Sequence, residues 1–225
     1  MISVVLTKYK RTHLFEHQLQ SVINQSLPPT QILVVNNTVD NKGVWSRFEM
    51  AKKATTEFVC VIDDDTIPGS KWLENCYNSF QIKEGLYGTR GLRFKSSNFY
   101  KSNYEEIGWI NPNNTIEQVD YVTHSWFFKK DWLEFYWRYQ PEKKYFNCGE
   151  DMNFSFQLQK EGIKTFVPPH PMFESEQWGS IEPSHGLDDN SLWESNENGF
   201  RKKLFDFFDY QISKGWKLMN QPTII

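Results

Sequence analysis

The sequence predicts an α/β fold, a mainly parallel sheet flanked by helices, with polar residues gathered outside the carboxyl ends of its strands. Three observations carry that expectation. Short apolar runs rich in β-branched residues alternate with stretches of helical periodicity through the first half of the chain. The connections between them are short, as in successive strand–helix crossovers. Each of the first three apolar runs ends on a polar cluster: residues 7–11, 36–40 and 63–65.

The elements follow in order. "ISVVL" (2–6) reads as a buried strand. Thr12 is placed to cap a helix with Phe15, Leu19, Val22 and Ile23 on one face, and "SLPPT" ends it. "QILVVNN" (31–37) is a second strand, a short helix occupies 44–54, and "FVCVID" (58–63) is a third strand. Ser70 is placed to cap a helix carrying Trp72, Leu73, Cys76 and Phe80 at helical spacing. Farther on, "GLYGTRGLRF" (85–94) and "QVDYVTHSWFF" (118–128) each read as a strand. "GEDMNFSFQLQKEG" (149–162) is a helix with acidic residues in its first turn and Gly162 as its C-cap. "IKTFVPP" is a last short strand, and the polar segment 170–199 is long enough to be a mobile lid. Leu204, Phe207, Phe208 and Ile212 share one face of a final helix over 200–216, which should dock on the core.

Composition narrows the function classes. A net charge of −3 over 225 residues offers no basic field for nucleic acid or an anionic membrane. Aromatics make up 16%, so many rings belong to the core, and their abundance also suits a cleft for ring-shaped ligands. Cys60, Cys76 and Cys148 are odd in number and lack metal-type spacing, which predicts reduced thiols in an intracellular setting. The N-terminal apolar run is too short for a signal peptide or a membrane span, and no later run is longer, so a soluble cytoplasmic protein is expected.

Asp63, Asp64 and Asp65 end a buried strand on a triple negative charge, which is costly unless solvated or offset. Two accounts stand open: a solvated turn, or a seat for Mg²⁺ or Mn²⁺, whose shell substrate phosphates would complete. Glu150 and Asp151 form a second carboxylate pair, suited to proton transfer or merely favourable to the helix dipole by about 0.3–1 kcal/mol.

Taken together, "ISVVLTKYKRTHLFEHQLQSVINQSLPPTQILVVNN", then "VIDDDTIP", then "GED" opening a helix resemble the nucleotide-sugar glycosyltransferases of the GT-A fold, nearest to inverting family 2, over roughly residues 2–167. The triplet with "VVNN" is also similar to the exostosin-like retaining transferases, since family 2 more usually shows "DDGS". The resemblance implies a Rossmann-like, mixed but mainly parallel sheet in one domain. Its parts would be a nucleotide-binding half (1–95), an acceptor half with the lid (96–199), and a C-terminal helix and tail (200–225). It implies a hexosyl- or deoxyhexosyltransferase moving a sugar from a UDP-sugar to a hydroxyl of a glycan or glycoconjugate. Asp65 would hold Mn²⁺ or Mg²⁺ against the diphosphate, Asp63 would meet the ribose and Asp64 the sugar. Thr7, Tyr9 and Arg11 would line the uracil pocket, Asn36 and Asn37 would face base or ribose, and Arg47 would reach the diphosphate. Asp151 would be the base, with Glu150 orienting hydroxyls. Some GT-A enzymes draw a further metal ligand from beyond the last strand, where His170 and His185 lie. His124, Trp126 and Trp178 would contact the acceptor or donor sugar, although core packing accounts equally well for either tryptophan. The rival readings are a haloacid dehalogenase-type phosphohydrolase, from "VCVIDDDTI", and a non-catalytic carbohydrate-binding domain.

Overall fold

Residues 1–97 and 103–220 are described by a computed structural model. The expected tail at 221–225, and residues 98–102 of the expected acceptor half, lie outside them. The first half folds as strand and helix in turn: β1 (Ile2–Lys8), α1 (Phe15–Ile23), β2 (Gln31–Asn36), α2 (Ser46–Ala51), β3 (Phe58–Ile62) and α3 (Trp72–Ile82). Then come β4 (Gly85–Tyr87), β5 (Arg90–Phe94), β6 (Tyr104–Gly108), β7 (Glu117–Val119), β8 (Tyr121–Thr123) and β9 (Ser125–Lys129). The chain continues through α4 (Leu133–Tyr136), α5 (Glu150–Lys160), β10 (Lys164–Val167), α6 (Leu192–Ser195) and α7 (Phe200–Ser213).

Seven strands form the main sheet in the order β2-β1-β3-β9-β4-β10-β7, and β6-β5-β8 form a smaller one. β1 pairs in parallel with β2 and β3, and β4 with β10. Only β9 and β7 run against the rest, so the sheet is mainly parallel, as expected. β1 and β3 lie inside the sheet and bury their side chains on both faces, which is why they read as unbroken apolar runs. Most of the aromatic rings fill the core: Phe48 packs on Tyr136 at 4.6 Å, Trp126 at 5.4 Å and Phe154 at 5.6 Å. Cys60, Cys76 and Cys148 are free and buried. No helix among the described residues is long and apolar enough to cross a membrane.

Several local expectations are corrected. The run 85–94 is two strands in different sheets, because the chain leaves the main sheet at Gly88 and Thr89. A Cβ on Gly88 would lie 2.6 Å from Val122 and 2.7 Å from the Ser125 carbonyl, so the crossing is built on the absence of a side chain. The run 118–128 is three strands, broken at Asp120 and His124. Neither Thr12 nor Ser70 caps a helix through its side chain, since α1 and α3 begin after Leu14 and Lys71. The last helix ends at Ser213. Gly162 does take the left-handed conformation just past α5, at φ +76°.

Candidate functional site

The carboxyl ends of β1, β2 and β3 open on a cavity of about 800 Å³. β9 runs antiparallel beside β3 with Ser125 opposite Ile62, so the residue before β9 arrives where β3 ends. That residue is His124, and its carbonyl accepts the Asp63 N–H at 2.9 Å. Gln18, buried on the inner face of α1, donates its amide to the carbonyls of Asp63 (2.5 Å) and Thr66 (2.8 Å) and so pins the aspartate turn. His124 holds a left-handed backbone (φ +69°) and stacks its ring on Trp109 at 4.6 Å, itself at φ +52°. Such conformations cost non-glycine residues of order 1–3 kcal/mol and gather at functional sites. One ligand atom each from Asp63, Asp65 and His124 lies within 4.8 Å of the others.

Two arginines reach into this corner. Arg11 forks onto Asp188, with Nε at 3.0 Å and Nη2 at 2.5 Å, and turns Nη1 to Asp64 (3.3 Å) and Asp65 (3.7 Å). Buried Arg47 donates to Asp63 with one terminal nitrogen and to Glu150 with the other, the latter at 2.5 Å. Burial opposes the charge of Asp65, yet the His124 ring and Arg11 outweigh it and hold this carboxyl below its usual range. Asp64 is pushed up to about 6 by burial and by the charge of Asp65.

A divalent cation suits these residues. Asp63, Asp64, Asp65, Glu150, Asp151 and Asp188 are matched at this corner by the guanidinium groups of Arg11 and Arg47, a surplus of carboxylate oxygen among the described residues. Two carboxylates with one imidazole form a mixed oxygen and nitrogen set that Mn²⁺ accepts more readily than Mg²⁺.

On the β1–β2 side the cavity is lined by Thr7, Tyr9, Asn37, Asn41 and Ser46. The Thr7 hydroxyl is buried with no partner among the described residues, Tyr9 accepts from the Asn41 amide at 2.9 Å, and Asn37 donates to Ser46 at 3.3 Å. Asn36 does not line the cavity and instead accepts from the N–H and hydroxyl of Thr38. The far wall comes from the smaller sheet: Arg90, ion-paired with Glu106, together with Trp109, Tyr121 and Thr123.

Asp151 faces the cavity from the first turn of α5, where its Oδ1 accepts the Met152 N–H at 2.7 Å. Burial and then the neighbouring Glu150 push its carboxyl up to about 8. Gly149 before it has φ +87°, and a Cβ there would lie 2.5 Å from the Phe207 ring, so α7 fixes where α5 starts.

Other expected site residues lie elsewhere. His185 sits 3.2 Å from Glu182 and is not one of the three clustered ligand residues. His170 is fully buried between the Pro168 carbonyl and the Gly179 N–H. Trp126 is core, donating to the Val122 carbonyl, and Trp178 donates to the Pro171 carbonyl outside the cavity. Gln18, Arg90, Glu106, Trp109 and Asp188 were not singled out from the sequence. Only Gln18 carried a signal, a polar residue on the apolar stripe of its helix.

Glycosyl transferase family 2 provides a family model that matches residues 40–158 of this chain. No curated protein matches it.

Proposed function

The chain belongs to glycosyl transferase family 2 and is a glycosyltransferase of the GT-A fold, and from that premise we propose a metal-dependent, inverting transfer from a UDP-sugar. The group moved is a hexosyl or deoxyhexosyl unit, and the acceptor is a hydroxyl of a glycan or glycoconjugate. One observation carries this reading: the clustering of Asp63, Asp65 and His124 within 4.8 Å on the wall of an 800 Å³ cavity that also holds Asp151.

Asp63, Asp65 and His124 would hold Mn²⁺ or Mg²⁺, which when bound supplies Lewis-acid stabilisation of the charge developing on the diphosphate. Thr7, Tyr9, Asn37 and Asn41 offer the uridine a polar wall with hydroxyls and amides to spare. Asp151 takes the proton of the acceptor hydroxyl as that oxygen bonds to the anomeric carbon, opposite the departing UDP. The bond from the anomeric carbon to the diphosphate breaks, and its electron pair leaves with UDP. Segment 183–197, with Gly186 and Leu187 on the cavity wall, limits water at the reacting carbon.

Thermal-shift screening of UDP-sugars with and without Mn²⁺ tests the reading. A ligand at a hundred times its dissociation constant adds about 2.7 kcal/mol of stability, and Asp65→Ala should erase the Mn²⁺-dependent part. A stabilisation by UDP that ignores both Mn²⁺ and Asp65→Ala would refute it.

A further inference from the structure

The Arg47 guanidinium lies 4.5 Å over the Trp126 ring, with one terminal nitrogen on Asp63 and the other on Glu150. The two contacts join separate parts of the chain: Asp63 is the residue just past the end of β3, and Glu150 opens α5. Glu150 is itself buried, so the pair is shielded from water and its geometry is held. A charged pair in such a place is costly to build without a second gain, because apolar residues of similar volume would stabilise the fold as well.

We propose that Arg47 is a positioning residue. It ties the metal-side end of β3 to the first turn of α5, so that ligand binding at Asp63 fixes the place of Asp151. The inference rests on the reading of Asp63 and Asp65 as a cation and nucleotide corner. It differs from the expectation that Arg47 binds the diphosphate, because both terminal nitrogens are engaged by protein carboxylates. The planar guanidinium holds the two carboxylates on separate nitrogens of a rigid fork, a spacing that the single, flexible lysine ammonium does not fix.

Hydrogen exchange on the full chain tests the coupling, with Mn²⁺ plus UDP as the probe. In the wild type, the probe should slow exchange by about tenfold both in a peptide covering residues 58–66 and in one covering 149–158. In Arg47→Lys, and independently in Glu150→Gln, the first peptide should still slow while the second no longer responds. A residue that merely supports the fold would instead raise exchange in both peptides without ligand and leave the response paired. Transmission to α5 in both variants overturns the proposal, as does a wild-type response confined to 58–66. If the wild type shows no response in either peptide, the cation and nucleotide reading falls, and this proposal with it.

Discussion

Asp151→Asn separates two roles of one carboxyl group, because the same proton should move activity and stability in opposite directions. The wild-type carboxyl is pushed from about 4 up to about 8, by burial first and by Glu150 second. A base must be ionised, and with a midpoint at 8 only about a tenth of Asp151 is ionised at pH 7 and about a hundredth at pH 6. Turnover should therefore climb about tenfold per unit from pH 6 and level off near 8. A cation in the same cavity lowers that midpoint and the donor's diphosphate raises it, so the metal-free, nucleotide-free protein is the state to which 8 applies. Stability runs the other way. The folded state binds the proton more tightly than the unfolded chain between pH 4 and 8, so this contribution is complete below 4 and is lost as pH rises through 8. The limit is about 1.4 kcal/mol per unit, and cavity water should reduce the loss between pH 5 and 8 to about 1–2 kcal/mol in all. Asparagine keeps the acceptor for the Met152 N–H and removes the titration. Urea unfolding of metal-free protein at pH 5 and pH 8 gives the stability arm, and UDP release with the donor found by screening gives the rate arm. Asp151→Asn should lose about 10²–10⁴ in turnover and its pH limb, while gaining on the wild type in stability as pH rises. A stability gap that is equal at pH 5 and 8, or a variant within tenfold of wild-type turnover, would refute the reasoning.

Three further outcomes are expected. His124→Ala should weaken Mn²⁺ binding by about 10–100-fold in calorimetry with UDP present, and an unchanged affinity would remove His124 from the ligand set. Gly149→Ala should cost about 2–5 kcal/mol in chemical denaturation, since it combines a left-handed backbone with a clash against Phe207; a loss under about 0.5 kcal/mol would contradict the packing described. Asp188→Asn breaks the fork with Arg11 on a half-exposed loop, so stability should change by less than about 1 kcal/mol while limited proteolysis within 183–199 speeds up. Unchanged cleavage would mean that other contacts, such as Lys10 with Glu197, hold the segment.

The first half of the chain was legible because its signals are local. A strand buried on both faces has to be apolar throughout, so β1 and β3 announce themselves, and the polar residues that follow them necessarily lie at the carboxyl edge. Asp63 to Asp65 and Asp151 were found in this way, as charges placed where apolar runs stop or a helix starts. The other half failed for a physical reason that is specific to it. In "QVDYVTHSWFF" Asp120 and His124 read as polar positions within one strand, yet each is a break with its own long-range partner. Asp120 accepts the N–H groups of Phe94 (2.7 Å) and Met219 (2.8 Å), from residues 26 and 99 positions away. His124 turns its carbonyl to Asp63. Nothing within the segment encodes those partners.

The same consideration explains why His124 was assigned to the sugar and not to the aspartates. A left-handed backbone is normally signalled by glycine or asparagine, and here a histidine adopts it, held by stacking on Trp109 and by the hydrogen bond to Asp63. The antiparallel insertion of β9 between β3 and β4 is what carries residue 124 to the edge where β3 ends. With β9 parallel, residue 124 would begin its strand at the opposite edge, and the aspartates would have no imidazole beside them. The meeting of Asp63, Asp65 and His124 is thus a consequence of strand direction. A chain can keep every aspartate of such a motif and still lack the imidazole beside them if that one strand runs the other way.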